Sequence, residues 1–153
     1  MSTRKPTSDS PSGKLQWIRI KDFENLCFDL ARELLTFNQP IPDFITRSPG
    51  VLESCLESPL QIFDGNELYP SLEDKLATLF YLLIKNHPFQ NGNKRIAVTT
   101  MFVTLALNEM WLKANPYKLY LLALEVSSSE RTEKKSQIKK IKRFINNYIT
   151  EKG

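Results

Sequence analysis

The sequence predicts an all-α fold of about six helices with one small β-hairpin. Three observations carry that expectation. Apolar residues recur at helical spacing in several separate segments. One of those segments is apolar on nearly every side, as a central helix is. Asp64-Gly65 stands between apolar flanks, which is a hairpin-turn signal. A chain of 153 residues suits one domain around one core, taken here as residues 15–153. Residues 1–14 are mostly Ser, Thr, Pro and Lys with little to bury, and are expected to form a disordered tail.

Each element has a local reason. Gln16-Trp17-Ile18-Arg19-Ile20 alternates, which fits a short strand or an extended lead-in. Phe23, Leu26, Cys27, Leu30 and Leu34 mark an amphipathic helix over residues 21–37, ended by Pro40 and Pro42. Ser48-Pro49 reads as a helix start, with a capping hydroxyl and a proline in the first turn; that helix runs through Leu56 and stops before Pro59. The hairpin falls between Ile62 and Leu68. Ser71 caps the next helix, and Asp74 sits where a capping-box acid belongs. Leu72, Leu76, Leu79, Phe80 and Leu83 are its apolar stripe, and it ends near Asn86. The central helix covers residues 94–108, Asn115-Pro116 starts another, and Ser127-Ser128-Ser129 breaks that one. The last helix carries Ile138, Ile141, Phe144, Ile145 and Tyr148 on one face and lysines on the other.

Composition narrows the function. No run approaches the roughly 18 apolar residues of a membrane helix. Met1-Ser2-Thr3-Arg4-Lys5-Pro6 has positive charge but no apolar stretch behind it, so the cytoplasm is the expected compartment, without a membrane partner. Cys27 and Cys55 are too few for a disulfide scaffold, and both lie on apolar stripes, where cysteine packs as a small hydrophobe. The net charge is +4, but residues 130–153 alone hold +5, from eight Lys/Arg against three Asp/Glu. The positive excess therefore lies in the last helix. No aromatic side chains interleave with it as a stacking platform, so a solvated helix face is preferred to a nucleic-acid site.

The chemistry is concentrated in His87-Pro88-Phe89-Gln90-Asn91-Gly92-Asn93-Lys94-Arg95. His87 is the chain's one histidine, and so its one side chain with an ordinary pKa near neutrality. It ends one helix just before the next begins. A helix start offers unpaired N–H groups and the positive end of a dipole. Gly92 allows a close backbone approach, Asn93 can cap or donate, and Lys94 and Arg95 add two cations in the first turn. Cations are unfavourable there unless an anion joins them, which makes the turn a candidate phosphate nest. A base beside such a nest is what phosphoryl or nucleotidyl transfer requires.

This stretch resembles the signature of the Fic/Doc family, His-Pro-Phe-x-(Asp/Glu)-Gly-Asn-Gly-Arg. The Doc branch has Lys at the second Gly, as Lys94 does here. The segments from Arg47 to Ser54 and from Leu68 to Ala77 resemble that branch too, so that residues 47–111 match well. The resemblance implies a compact Fic/Doc-type helical bundle with a β-hairpin flap. It implies that His87 is the general base and Phe89 a core anchor. Gly92 and Asn93 would cradle phosphate, Arg95 would clamp its oxygens, and Lys94 would add a charge beside it. ATP or another nucleoside triphosphate would be the donor. Where the family has Asp or Glu to help hold Mg²⁺, this chain has Asn91, so Mg²⁺ would lean on the nucleotide's own phosphates.

By the same resemblance, the chain would be the toxin of a toxin–antitoxin pair. It would move phosphate to a Ser or Thr hydroxyl of a target protein in the translation machinery, held by the flap over residues 62–68. The alternatives are AMP transfer of the Fic type and a catalytically weakened binding protein on the same fold. Fic proteins often restrain themselves with (Ser/Thr)-x-x-x-Glu-(Gly/Asn). The nearest match, from Ser129 to Lys134, is broken by Lys134, which points to a separate antitoxin protein.

Overall fold

A computed structural model describes residues 15–34 and 40–152. The tail expected over residues 1–14, and the end of the helix expected over residues 21–37, lie outside the described residues. Among the described residues the architecture is helical. Its helices are α1 (Ile20–Phe23), α2 (Asp29–Leu34), α3 (Val51–Glu57), α4 (Leu72–Lys85), α5 (Asn93–Leu107), α6 (Pro116–Ser128) and α7 (Lys134–Tyr148). α1 and α2 are one helix interrupted by a π turn, Glu24–Phe28, which leaves about the expected six.

Two helices share the centre. α5 buries Ile96, Ala97, Val98, Met101, Phe102 and Leu105, as its all-round apolar pattern predicts. α4 is buried just as thoroughly, although its sequence shows a single stripe: Tyr81, Leu82 and Ile84 go under as well. The reason is tertiary, because α4 packs against α3, α5, α6 and α7 together. Ser71 Oγ accepts the Asp74 N–H at 3.0 Å and Asp74 Oδ2 accepts the Ser71 N–H at 3.4 Å, so the expected capping box starts this helix. Lys142 of α7 pairs with the same Asp74 at 2.7 Å. Asn115 Oδ1 caps α6 by accepting the Tyr117 N–H at 2.8 Å.

The structure corrects the sequence reading in several places. α3 is capped not by Ser48 but by Gly50, in the left-handed region at φ +79°. The alternating lead-in is extended but forms no ladder with another strand. Asn108 takes that role, accepting the Gln16 N–H at 2.9 Å and donating to the Gln16 carbonyl at 2.8 Å. The π turn advances the buried face by one residue. Phe23, Cys27, Phe28 and Ala31 are buried, whereas Leu26 and Leu34 are 40% and 64% exposed. With Leu30, Val98 and Phe102 those leucines line an apolar groove of about 630 Å³.

The hairpin forms where expected. β1 (Ile62–Phe63) and β2 (Asn66–Glu67) pair antiparallel, with Ile62 opposite Glu67 and Phe63 opposite Asn66. Asp64 and Gly65 take φ +53° and +79°, the two left-handed residues that a two-residue I′ turn demands. A second pairing was not anticipated: β3 (Met110–Leu112) runs antiparallel to β4 (Ile149–Glu151) and ties the end of α5 to the end of α7. No helix among the described residues is long and apolar enough to cross a membrane.

Candidate active site

The loop between α4 and α5 gathers the predicted residues, and four kinds of contact hold it. Phe89 is the apolar anchor. It is buried with its ring 5.1 Å from Phe28, 5.9 Å from Phe44 and 6.4 Å from Phe23, centroid to centroid. Burying one such ring is worth about 2–3 kcal/mol. The Pro88 carbonyl accepts the Ser48 N–H at 2.9 Å, so the loop is pinned to the segment that precedes α3. Beside that pin, Arg47 lies 4.2 Å over the Phe44 ring and meets Glu53 at 3.5 Å.

Asn93 is the third hold. It is 6% exposed and is the first residue of α5. Its Oδ1 accepts the Phe89 N–H at 3.0 Å and its Nδ2 donates to the Phe89 carbonyl at 2.8 Å. The side chain thus pairs with a backbone segment as a neighbouring strand would. The cap position belongs to Gly92, at φ +83°. Gly92 is required on two counts. A side chain is disfavoured at that φ, and a Cβ there would lie 2.5 Å from Ile41 Cγ1. Ile41 packs against the backbone at Gly92.

Asn91 is the fourth. Its Nδ2 donates to the Pro40 carbonyl at 3.3 Å and its Oδ1 accepts the Gly92 N–H at 2.8 Å. The oxygen that would face a metal is neutral and already accepts a hydrogen bond. No group of three or more His, Cys, Asp or Glu able to hold a metal occurs among the described residues. This donor set does not fit a protein-held Mg²⁺, which prefers carboxylate oxygens.

His87 is exposed and adopts φ +50°, an uncommon conformation for a residue with a side chain. Asn93 Nδ2 lies 3.4 Å from His87 Nδ1. Lys94 is partly buried in the first turn of α5, and Arg95 is 3% exposed. Burial lowers the Arg95 pKa from its ordinary value and Tyr120 nearby opposes the shift. Arginine keeps its charge under such shifts, so Arg95 is a fixed, buried cation in the first turn of α5. The structure thus holds His87, Asn91, Gly92, Asn93, Lys94 and Arg95 in one loop and helix start, with Lys94 half-buried and Arg95 buried.

The hairpin has its own hold, which sequence reasoning missed. Lys75 is 1% exposed; its Nζ donates to Glu67 Oε1 at 2.8 Å and to the Tyr69 carbonyl. A signal was present, since Lys75 sits three residues after Leu72 and beside Leu76, on the stripe that packs inward. Burial pushes the Cys27 thiol up to about 12 and the Cys55 thiol up to about 11, which favours the thiol over the reactive thiolate.

Comparison with known proteins gives a family and a relative. A family model described as Fic/DOC matches residues 18–105, which takes in α1 through most of α5 and the whole loop. Toxin Doc of Mycolicibacterium smegmatis is 35% identical over 69 residues, 45% of this chain and 53% of that protein. The chain therefore spans about half the length of the curated relative it matches. No solved structure shows a significant match.

Proposed function

The chain belongs to the Fic/DOC family, and on that premise we propose that it is a toxin that moves the terminal phosphate of a nucleoside triphosphate to a Ser or Thr hydroxyl of a target protein. The observation that carries this reading is Lys94: a half-buried cation in the first turn of α5, next to the loop that presents His87. The N–H groups of that turn and the Lys94 charge attract phosphate oxygens. Lysine also fills space beside the nest. That disfavours a pose with the α-phosphate next to His87 and favours one that presents the terminal phosphate.

His87 takes the proton as the target O–H bond breaks. The hydroxyl oxygen bonds to phosphorus, and the P–O bond to the departing nucleoside diphosphate breaks. Such a base contributes about 10²–10⁴ in rate. The Arg95 charge, fixed in the first turn of α5, offsets negative charge that develops on the phosphoryl group. Mg²⁺ would come with the nucleotide, on its phosphates, because Asn91 supplies no carboxylate. The exposed hairpin around Ile62 and Leu68 is the proposed hold on the target, by strand addition. A separate antitoxin protein would keep the enzyme silent, and the translation machinery is the proposed target.

Intact-mass measurement of candidate translation proteins, incubated with the chain, ATP and Mg²⁺, tests the reading. One added phosphate is expected, and Lys94→Gly should abolish that addition. An added AMP would replace the reading with adenylyl transfer, and unmodified targets that still bind would replace it with a binding role.

A further inference from the structure

The Asn93 side chain has a settled orientation, and that orientation bears on the tautomer of its neighbour His87. A backbone N–H can only donate and a backbone carbonyl can only accept. Asn93 faces both from the same residue, Phe89: the N–H at 3.0 Å on one side and the carbonyl at 2.8 Å on the other. Flipping the amide would set NH₂ against N–H and oxygen against oxygen, and at 6% exposure no water would relieve either clash. The atom 3.4 Å from His87 Nδ1 is therefore the NH₂ group, a pure donor. A donor facing Nδ1 requires a lone pair there.

We infer that Asn93 is a positioning residue that fixes neutral His87 as the Nε2–H tautomer, with its lone pair on Nδ1. The inference rests on the proposed role of His87 as the base and deepens it, by naming the nitrogen that works. When the target O–H bond breaks, the proton lands on Nδ1, Nε2 keeps its own, and the ring becomes imidazolium. The hydrogen bond from Asn93 to Nδ1 is given up in that step, because both partners would then be donors. The asparagine thus has a second task besides stapling the loop. It orients the ring while the base waits, and it must release the ring as the base acts.

His87 is the chain's one histidine, so ¹⁵N spectra of imidazole-labelled protein give one pair of ring signals with no assignment ambiguity. With the ring neutral, the wild type should show a protonated Nε2 and an unprotonated Nδ1. Free histidine already leans towards that form, so the variants decide. Asn93→Asp keeps an oxygen for the Phe89 N–H but turns an acceptor towards Nδ1, and the two ring signals should exchange character. Asn93→Ala removes the donor, and the Nδ1–H population should rise above the wild-type level. Peptide-amide spectra confirm that each variant is folded; if the aspartate variant is not, the alanine variant decides alone. A wild type protonated at Nδ1, or folded variants with wild-type ring signals, overturns the inference. The measurement uses neither nucleotide nor target. It stands or falls separately from phosphate transfer.

Discussion

The loop after α4 and the hairpin before it are held in opposite ways. The loop is fixed at nearly every residue: an aromatic anchor at Phe89, an amide pair from Asn93, a backbone pin at Pro88, and Gly92 pressed on Ile41. The hairpin has two residues in each strand, with Ile62 67% and Phe63 72% exposed. One buried lysine secures its base. The contrast matches the two tasks proposed. Transfer needs reacting atoms held within a few tenths of an ångström, and a rigid loop supplies that. Holding a protein segment needs an open edge that adapts. The two also stand at opposite ends of α4, whose 14 residues span roughly 20 Å. A target that reaches both the base of the hairpin and His87 must bridge a distance of that order.

The largest expected effect removes the chemistry and spares the loop. His87→Ala should cut transfer by about 10²–10⁴, with thermal stability close to wild type, since the side chain is exposed and alanine keeps a Cβ at φ +50°. Kinetics and a melting curve on one preparation check it. Retained transfer would remove His87 from the mechanism.

Next, Gly92→Ala should break the loop itself. Left-handed φ costs alanine about 1–2 kcal/mol, and its Cβ would stand 2.5 Å from Ile41, so that overpacking adds about 1–2 kcal/mol more. In an Ile41→Ala background, which has room for the new Cβ, the same Gly92→Ala change should cost less. If chemical denaturation shows the same cost in both backgrounds, the contact with Ile41 is not what demands glycine.

The hairpin should yield to a smaller blow, without the loop following. Lys75→Met leaves the Tyr69 carbonyl and a partly exposed Glu67 without their cation, at about 1–3 kcal/mol. Hydrogen exchange should quicken over residues 61–69 and stay slow over residues 88–96. In a transfer assay the KM for target should rise while the KM for nucleotide holds. Equal quickening in both segments would mean that the two are one cooperative unit.

Which of these features could be read from the chain follows the range of the forces involved. The capping box of Ser71 and Asp74 and the turn at Asp64-Gly65 are local, and both stand as the sequence spells them. The loop's residue types were legible for the same reason: nine consecutive positions carry them. The directions were not. That Arg95 is buried while Lys94 is half-buried, and that Asn93 turns its amide on Phe89, depend on what surrounds α5. The π turn escaped because a single extra residue in a turn leaves the composition of the stripe intact while rotating Leu26 and Leu34 outward. The β3–β4 pair joins three-residue strands from distant parts of the chain, too short for any periodicity to register.

The smallest expected effect concerns the one motif position where this chain departs from its family. Asn91→Asp keeps an oxygen for the Gly92 N–H but loses the donor to the Pro40 carbonyl, so stability should fall by about 1 kcal/mol. Its carboxylate supplies what Mg²⁺ lacks here. Titration with Mg²⁺ and nucleotide together should therefore give tighter binding than wild type, while nucleotide alone, facing one more negative charge, should bind more weakly. The two shifts have opposite signs, so a general loosening of the loop cannot produce both. Were binding weaker in both titrations, position 91 would be one more clamp on a rigid loop and no part of a metal site. The contrast between the fixed loop and the open hairpin would then be sharper still.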